Sequence, residues 1–244
     1  MAPDQAVLDA FLDACFAEPR RGTHSATENA NSEIVAALFN AGALVSASTV
    51  EFLSGRPQHP DVVHQFLEHG LDPNARLSSG EPLLSYLVEP ACARELLSRG
   101  ADPNLCGPSG KSPLFRAIIS SEEENTALFE LLLEYGAKLE PELLFAAVAP
   151  RVRHQELKTK FLLAEGLDPN MTNAEWGTPL HLAVYAAKPN IVKLLLEAGT
   201  DPTTGVAGRR FPGKSPLQME QTLGHRHSEL TETILSLLQP QRGL

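Results

Sequence analysis

One pattern restricts the fold of this chain more than any other: a leucine-rich stretch closed by glycine and then Asp-Pro returns along most of its length. Leu67-Glu68-His69-Gly70-Leu71-Asp72-Pro73-Asn74 recurs as Leu97-Ser98-Arg99-Gly100-Ala101-Asp102-Pro103-Asn104 and as Leu163-Ala164-Glu165-Gly166-Leu167-Asp168-Pro169-Asn170. Looser copies are Leu196-Glu197-Ala198-Gly199-Thr200-Asp201-Pro202 and Leu133-Glu134-Tyr135-Gly136-Ala137, with a degenerate one at Phe39-Asn40-Ala41-Gly42-Ala43. The glycines at 42, 70, 100, 136, 166 and 199 are spaced by 28, 30, 36, 30 and 33 residues. Self-similarity at such a period marks units that stack in a row, each burying its apolar face on its neighbours.

A second motif lies between these copies. Its fullest form is Thr178-Pro179-Leu180-His181-Leu182-Ala183, with shorter forms at Ser112-Pro113-Leu114-Phe115-Arg116-Ala117 and Ser215-Pro216-Leu217, and a weakened one at Glu81-Pro82-Leu83-Leu84. Thr or Ser before Pro starts a helix, because the hydroxyl caps a free N–H and Pro suits the first helical position. Glycine after a leucine-rich helix ends one. Asp-Pro-Asn then blocks continuation and favours a turn, the asparagine being expected to bond its own backbone. Each unit therefore reads as helix, turn, helix, glycine stop and extended loop. The second helix shows apolar residues at helical spacing, as at Ile191, Leu194, Leu195 and Ala198.

These two elements at this period resemble the ankyrin repeat family. The resemblance covers nearly the whole chain and implies an all-α solenoid of about seven helix-turn-helix units with extended or hairpin loops and irregular ends. The units fall at about 5–46, 47–76, 77–105, 106–139, 140–170, 171–203 and 204–238, a single array over residues 1–244. The sixth follows the family pattern best. The second and fifth lack the Thr-Pro start, so shortened or lost first helices are expected there. Gly80 and Gly177 stand one residue nearer the helix start than is usual. The first unit has an insertion, Pro19 to Asn31, and the last an enlarged loop, Thr204 to Gly213. The resemblance further implies that partners meet a concave face and the loop tips, and that asparagines such as Asn74, Asn104 and Asn170 are substrates for a hydroxylating oxygenase in some members.

Charge narrows the partners. Lys plus Arg is 20 and Asp plus Glu is 30, a net charge of −10 and a pI near 5.3. That opposes nucleic acid and anionic membranes as ligands. A nucleic-acid reading would need a basic face around Arg209, Arg210, Lys214 and Arg226. Cys15, Cys92 and Cys106 are few, odd in number and far apart, which speaks against a disulfide framework and for a reducing compartment, cytoplasmic or nuclear. Cys15 reads as core and Cys106 as a loop-tip thiol. The longest apolar run, Leu143 to Ala149, is far too short to span a membrane, and residues 1–10 lack the basic start of a secretory signal.

His181 is expected to bond Thr178 and a neighbouring backbone, as the family resemblance implies, rather than to act as a base. Phe115 occupies the matching place in the fourth unit and is expected to pack between repeats. His225 and His227 flank Arg226 and have no third ligand near in sequence; His59, His64 and His69 cluster in the second unit, where His64 and His69 do not share a helical face and a surface-exposed helix is expected, and they and His24 would meet the first pair in space only by accident. No metal and no cofactor is expected. Glu122, Glu123 and Glu124 precede a helix expected near Asn125 and suit its dipole. No catalytic or nucleotide-binding motif is present.

The expected contact residues are Glu175, Trp176 and Tyr185 of the sixth unit, Arg116 and Ile119 of the fourth, and Arg209, Arg210 and Phe211 of the last loop. Aromatic and arginine side chains dominate interface energetics. Two readings of the basic loop stand: a binding finger, or an insertion tolerated near an array end. The function expected is a monomeric, non-catalytic module that binds another protein as adaptor, inhibitor or co-regulator. The alternative is an enzyme or small-molecule binder with a pocket in the groove, which titratable groups of perturbed pKa would mark.

Overall fold

The computed structural model of the chain describes residues 33–40, 42–55, 58–122, 126–206, 208–223 and 228–239, the side chains of 47–49 and 228 excepted. Cys15, His24, the Pro19–Asn31 insertion, Glu123, Glu124, Asn125, Ala207, His225, Arg226 and His227 lie outside the described residues. Two compact units form. One comprises the described residues up to Ala117 with Ala127–Lys138; the other is Ile118–Thr126 with the described residues from Leu139 onward. Among the described residues the regular structure is all helical.

In the first compact unit, residues 33–40 are helical. Ala47–Leu53 and Pro60–Glu68 follow, then a 3-10 turn at Leu83–Tyr86 and the helix Pro90–Ser98, which packs against Pro60–Glu68. Pro113–Ser120 divides between the units, up to Ala117 in the first and from Ile118 in the second, and Ala127–Glu134 of the first unit starts two residues later than the sequence suggests. In the second compact unit, Glu142–Val148 pairs with Gln155–Ala164, Pro179–Tyr185 with Pro189–Glu197, and Pro216–Leu223 with Ser228–Leu238. Phe66, Leu96 and Leu114 are fully buried in the first unit, as are Leu144, Leu162, Leu180 and Leu195 in the second. Each such side chain contributes about 1.5–3 kcal/mol.

The glycine stops act as the spacing predicts. Gly100 and Gly166 have φ of 94° and 92°, values that cost any residue with a Cβ. The next N–H then turns back into the helix: Ala101 donates to Leu96 O at 3.0 Å and Leu167 to Leu162 O at 3.1 Å. This closure satisfies carbonyls that the helix end leaves open.

The Asp-Pro-Asn loops work differently from the sequence expectation. Aspartate, not asparagine, makes the local turn: Asp72 Oδ1 accepts the Asn74 N–H, Asp102 Oδ1 that of Asn104, and Asp168 Oδ1 that of Asn170, each at 2.8 Å. The side chains of Asn74 and Asn104 reach instead to the following loop. Asn74 Nδ2 donates to Gly100 O at 3.3 Å, and its Oδ1 accepts the Asp102 N–H at 2.8 Å. Asn104 repeats the clip on Gly136 O at 2.9 Å and the Lys138 N–H at 2.8 Å. A side-chain amide offers a donor and an acceptor together, so one residue pairs both backbone groups of the next loop.

The missing Thr-Pro start does not shorten the first helices of the second and fifth units: Ala47–Leu53 and Glu142–Val148 are both formed. From Leu143 through Val148 every residue of the latter is buried, and packing of this kind substitutes for a cap. The shortened first helix belongs to the third unit. Pro82 and Pro90 bracket it, and Glu89, before a proline, is extended at φ −78°, ψ 118°. Only the turn Leu83–Tyr86 fits between them.

Candidate functional site

The sixth unit begins with a cap built from three groups. Thr178 Oγ1 accepts the His181 N–H at 3.4 Å, while His181 Nδ1 accepts from the Thr178 hydroxyl at 2.7 Å and from its N–H at 3.3 Å. With Nδ1 accepting, Nε2 carries the proton and donates to Lys214 O at 3.0 Å. His181 is 1% exposed, and burial pushes its pKa below the ordinary histidine value. It is a structural residue that fixes the start of the helix Pro179–Tyr185 and holds the end of the enlarged loop.

That loop lies along the tip of the sixth unit. The Arg209 N–H donates to Ala174 O at 2.8 Å and the Arg210 N–H to Glu175 O at 3.1 Å. The sixth-unit tip is itself a tight hairpin, with Asn173 and Gly177 bridged across it and the Asn173 side chain accepting the Trp176 N–H at 2.7 Å. Close approach depends on Gly208. A Cβ there would lie 2.7 Å from Gly177 N and 2.8 Å from the Trp176 carbonyl carbon.

Backbone pairing of the two tips brings their side chains together. The Arg210 guanidinium carbon is 4.3 Å from the Trp176 ring centroid and 5.8 Å from that of Tyr185. Arg210 Nε donates to Glu175 Oε1 at 2.6 Å, and this bond holds the guanidinium pKa above its ordinary value. Trp176 and Tyr185 have centroids 4.9 Å apart, Tyr185 and Phe211 5.8 Å apart, both tilted by about 50°. Tyr185 is 37% exposed. The sequence-picked residues Glu175, Trp176, Tyr185, Arg210 and Phe211 thus form one patch, with exposed Arg209 beside them on the same strand of loop.

Arg116 and Ile119 do not join this description. In the first compact unit the Arg116 guanidinium donates to the Tyr86 hydroxyl at 2.9 Å, lies 4.9 Å from the Tyr86 ring centroid and stands 3.9 Å from Glu81. Glu81 is buried, and hydrogen bonding from Ser109, first its side chain and then its N–H, holds the Glu81 pKa below the ordinary value. Arg116 is therefore engaged within its own unit. Ile119 is 38% exposed. Phe115, expected between repeats, is only half-buried and carries the Lys111 ammonium 4.0 Å over its ring.

Other polar features are mostly structural. His69 stacks on Phe39 at 4.3 Å between centroids, and His64 Nδ1 pairs with Glu95 at 3.0 Å. Cys92 is buried, which raises its thiol pKa to about 12, and Cys106 is an exposed free thiol. Asp201 accepts from Thr203 and Thr204, chiefly the Thr204 hydroxyl, and its pKa falls to about 2. Lys158 was not anticipated from sequence: it is completely buried, donates to Ser121 O at 2.8 Å, and has its pKa pushed down to about 8 by burial. No pattern around it distinguishes it from a solvated helix lysine.

A cavity of about 600 Å³ opens where the helices Gln155–Ala164 and Pro189–Glu197 begin, lined by His154, Leu157, Lys188 and Ile191 among others. A smaller one of about 260 Å³ adjoins the patch through Tyr185 and includes Val184, Glu220 and Leu223. Among the described residues no cluster of His, Cys, Asp and Glu side chains suited to a metal ion occurs. No described helix is long and apolar enough to cross a membrane.

Residues 123–206 match the family model for ankyrin repeats in 3 copies. The chain is 28% identical to ankyrin repeat and SOCS box protein 6 of Homo sapiens, over 73% of this chain and 52% of that protein. It is 24% identical to E3 ubiquitin-protein ligase KEG of Arabidopsis thaliana, over 78% of this chain and 15% of the ligase. It thus spans only part of the length of either relative. Among solved structures, the human ASB11 ankyrin repeat domain aligns with a TM-score of 0.57 and 23% identity, over 74% of this chain and 81% of that one. An ankyrin repeat domain from Acinetobacter baumannii AYE aligns with a TM-score of 0.61 and 24% identity, over 79% and 97%. Residues 123–206 thus carry ankyrin repeats, and the chain has the fold of ankyrin repeat domains, a type of domain that generally mediates binding between proteins.

Proposed function

We propose that the chain is a non-catalytic recognition module that binds another protein through the paired tips of its sixth and seventh units. The observation that carries this reading is the convergence of Trp176, Tyr185, Phe211 and Arg210 on one partly exposed patch. Side chains of this kind, rigid and large, are the usual energetic centres of interfaces. The likeness to ankyrin repeat and SOCS box protein 6 and to an E3 ubiquitin-protein ligase supports an adaptor role, in which the repeats select what is bound. Cysteine usage supports action in the cytoplasm or nucleus.

The test compares the intact chain with a Trp176→Ala/Tyr185→Ala variant in affinity capture from the native source, quantified by mass spectrometry. A protein held by the intact chain and depleted at least tenfold by the variant is the expected result. Equal capture by both overturns the placement of the interface. Both substitutions lie at a surface patch, so an unchanged helical circular-dichroism spectrum is the control for folding.

A further inference from the structure

The patch is occupied. Trp176 and Tyr185 present their rings to a guanidinium, and Glu175 supplies a carboxylate to it at 2.6 Å. These are the parts of a cation seat: ring faces that attract positive charge and an anion that orients it. The cation that fills it is the chain's own Arg210. Neither Arg210 nor Glu175 is sequestered, with side-chain exposures of 45% and 42%. The loop stays docked by other means, since the Arg209 and Arg210 N–H groups bond the Ala174 and Glu175 carbonyls independently of the guanidinium, and Lys214 O is held by His181. The side chain of Arg210 can therefore leave without the loop leaving.

We propose that Trp176, Tyr185 and Glu175 form a seat for an arginine side chain of the protein partner, and that Arg210 fills it as an internal stand-in until the partner displaces it. This deepens the recognition role proposed above and rests on it. The occupant follows from the seat itself: a planar guanidinium already fits it, and displacing Arg210 leaves the Glu175 carboxylate to pair with an incoming cation. An internal competitor weakens apparent affinity by the fraction of time the seat is filled. Specificity would then require a partner arginine backed by further contacts, because an isolated arginine must compete with one held at high effective concentration.

Trp176 is the only tryptophan, so its fluorescence reports on the seat alone. The experiment titrates the full chain and its Arg210→Gln variant with a capped Gly-Gly-Arg-Gly-Gly peptide, its citrulline counterpart and its lysine counterpart. The expected result is saturable change in Trp176 emission with the arginine peptide, at least tenfold tighter for Arg210→Gln than for the unaltered chain, weaker with lysine and absent with neutral citrulline. Glu175→Gln should weaken binding. In the unaltered chain, the Arg210 Nε–H resonance should move towards its solvent-exposed position as peptide saturates, a readout that does not depend on any variant folding correctly. Equal affinity of Arg210→Gln and the unaltered chain, equal response to citrulline, or no binding to either protein overturns the assignment. Partner loss in the Trp176→Ala/Tyr185→Ala capture alongside any of those results would leave the recognition role standing and remove only the arginine seat.

Discussion

His181 Nε2 donates to the carbonyl of Lys214 at 3.0 Å, joining the first turn of one repeat to the loop that opens the next. The same imidazole accepts from the Thr178 hydroxyl, so one buried ring completes a helix cap and an inter-repeat clip together. The geometry uses the neutral form on both sides: Nδ1 must accept and Nε2 must donate.

Acidification should therefore weaken this junction. Burial lowers the His181 pKa in the folded chain, so the unfolded state takes up a proton first. Stability is complete above the unfolded value near 6.5 and is lost as pH falls below it towards the folded value. His181→Gln keeps a donor and an acceptor but not their placement, and should cost about 1–3 kcal/mol at neutral pH. Urea unfolding across pH 5 to 7.5 should show a steeper acid loss for the unaltered chain than for His181→Gln; parallel curves would contradict this.

Lys158 gives the opposite pH window. Its ammonium is buried against Ser121 O and its pKa is lowered from 10.5 to about 8. The folded chain thus releases its proton first as pH rises. The penalty of burying the charge is present below about pH 8 and is relieved as pH climbs from there to about 10.5. The relief is at most about 3 kcal/mol. Lys158→Met removes the charge while keeping much of the volume, and should abolish this alkaline gain. Unfolding midpoints at pH 7.5 and 9.5 for both chains measure it.

The asparagine clips carry a testable share of the stacking energy. Asn104 bonds Gly136 O and the Lys138 N–H, and Asn74 bonds Gly100 O and the Asp102 N–H. Each Asn→Ala change strips two partly exposed bonds and should cost about 1 kcal/mol. Both clips meet at Asp102, whose N–H bonds Asn74 and whose Oδ1 accepts the Asn104 N–H, so the double variant should be less stable than either single one without strict additivity. Thermal unfolding of the two single variants and the double variant decides the matter, and a double variant no less stable than either single one would refute it.

What the sequence makes legible here is whatever depends on neighbours in the chain. Thr178-Pro179 announces a capped helix and Gly100 a helix end because cap and stop chemistry acts within one turn. The third unit's shortened helix is legible too, in the seven residues between Pro82 and Pro90, whereas a missing Thr-Pro start, the sign that points to the second and fifth units, is the weaker one. The asparagine clip could not be seen in one unit, since its partners lie about thirty residues on, although the recurrence of Asn after Asp-Pro was its trace. The contact residues were chosen one by one for chemistry; that Arg210 would lie on Trp176 depends on two loop tips pairing, which no local pattern encodes. Lys158 had no signal at all.

Gly208 offers the most direct control of that pairing. A Cβ at this position would press on the backbone of Trp176 and Gly177 at under 3.0 Å, and backbone is less able to yield than a side-chain end. Gly208→Ala should push the loop off the tip, breaking the Arg209 and Arg210 backbone bonds to Ala174 and Glu175 and lifting Arg210 from the Trp176 ring. Trp176 is only half-buried to begin with, so the expected change is a red-shifted emission maximum as water reaches its ring. The helix pairs of the sixth unit depend on the Thr178–His181 cap and on buried Leu180, Ile191 and Leu195 rather than on the tip. Helical circular dichroism should therefore be nearly unchanged. An emission maximum identical to that of the unaltered chain would show that the tips tolerate a methyl between them, and the close approach at Gly208 would then not be what holds the patch together.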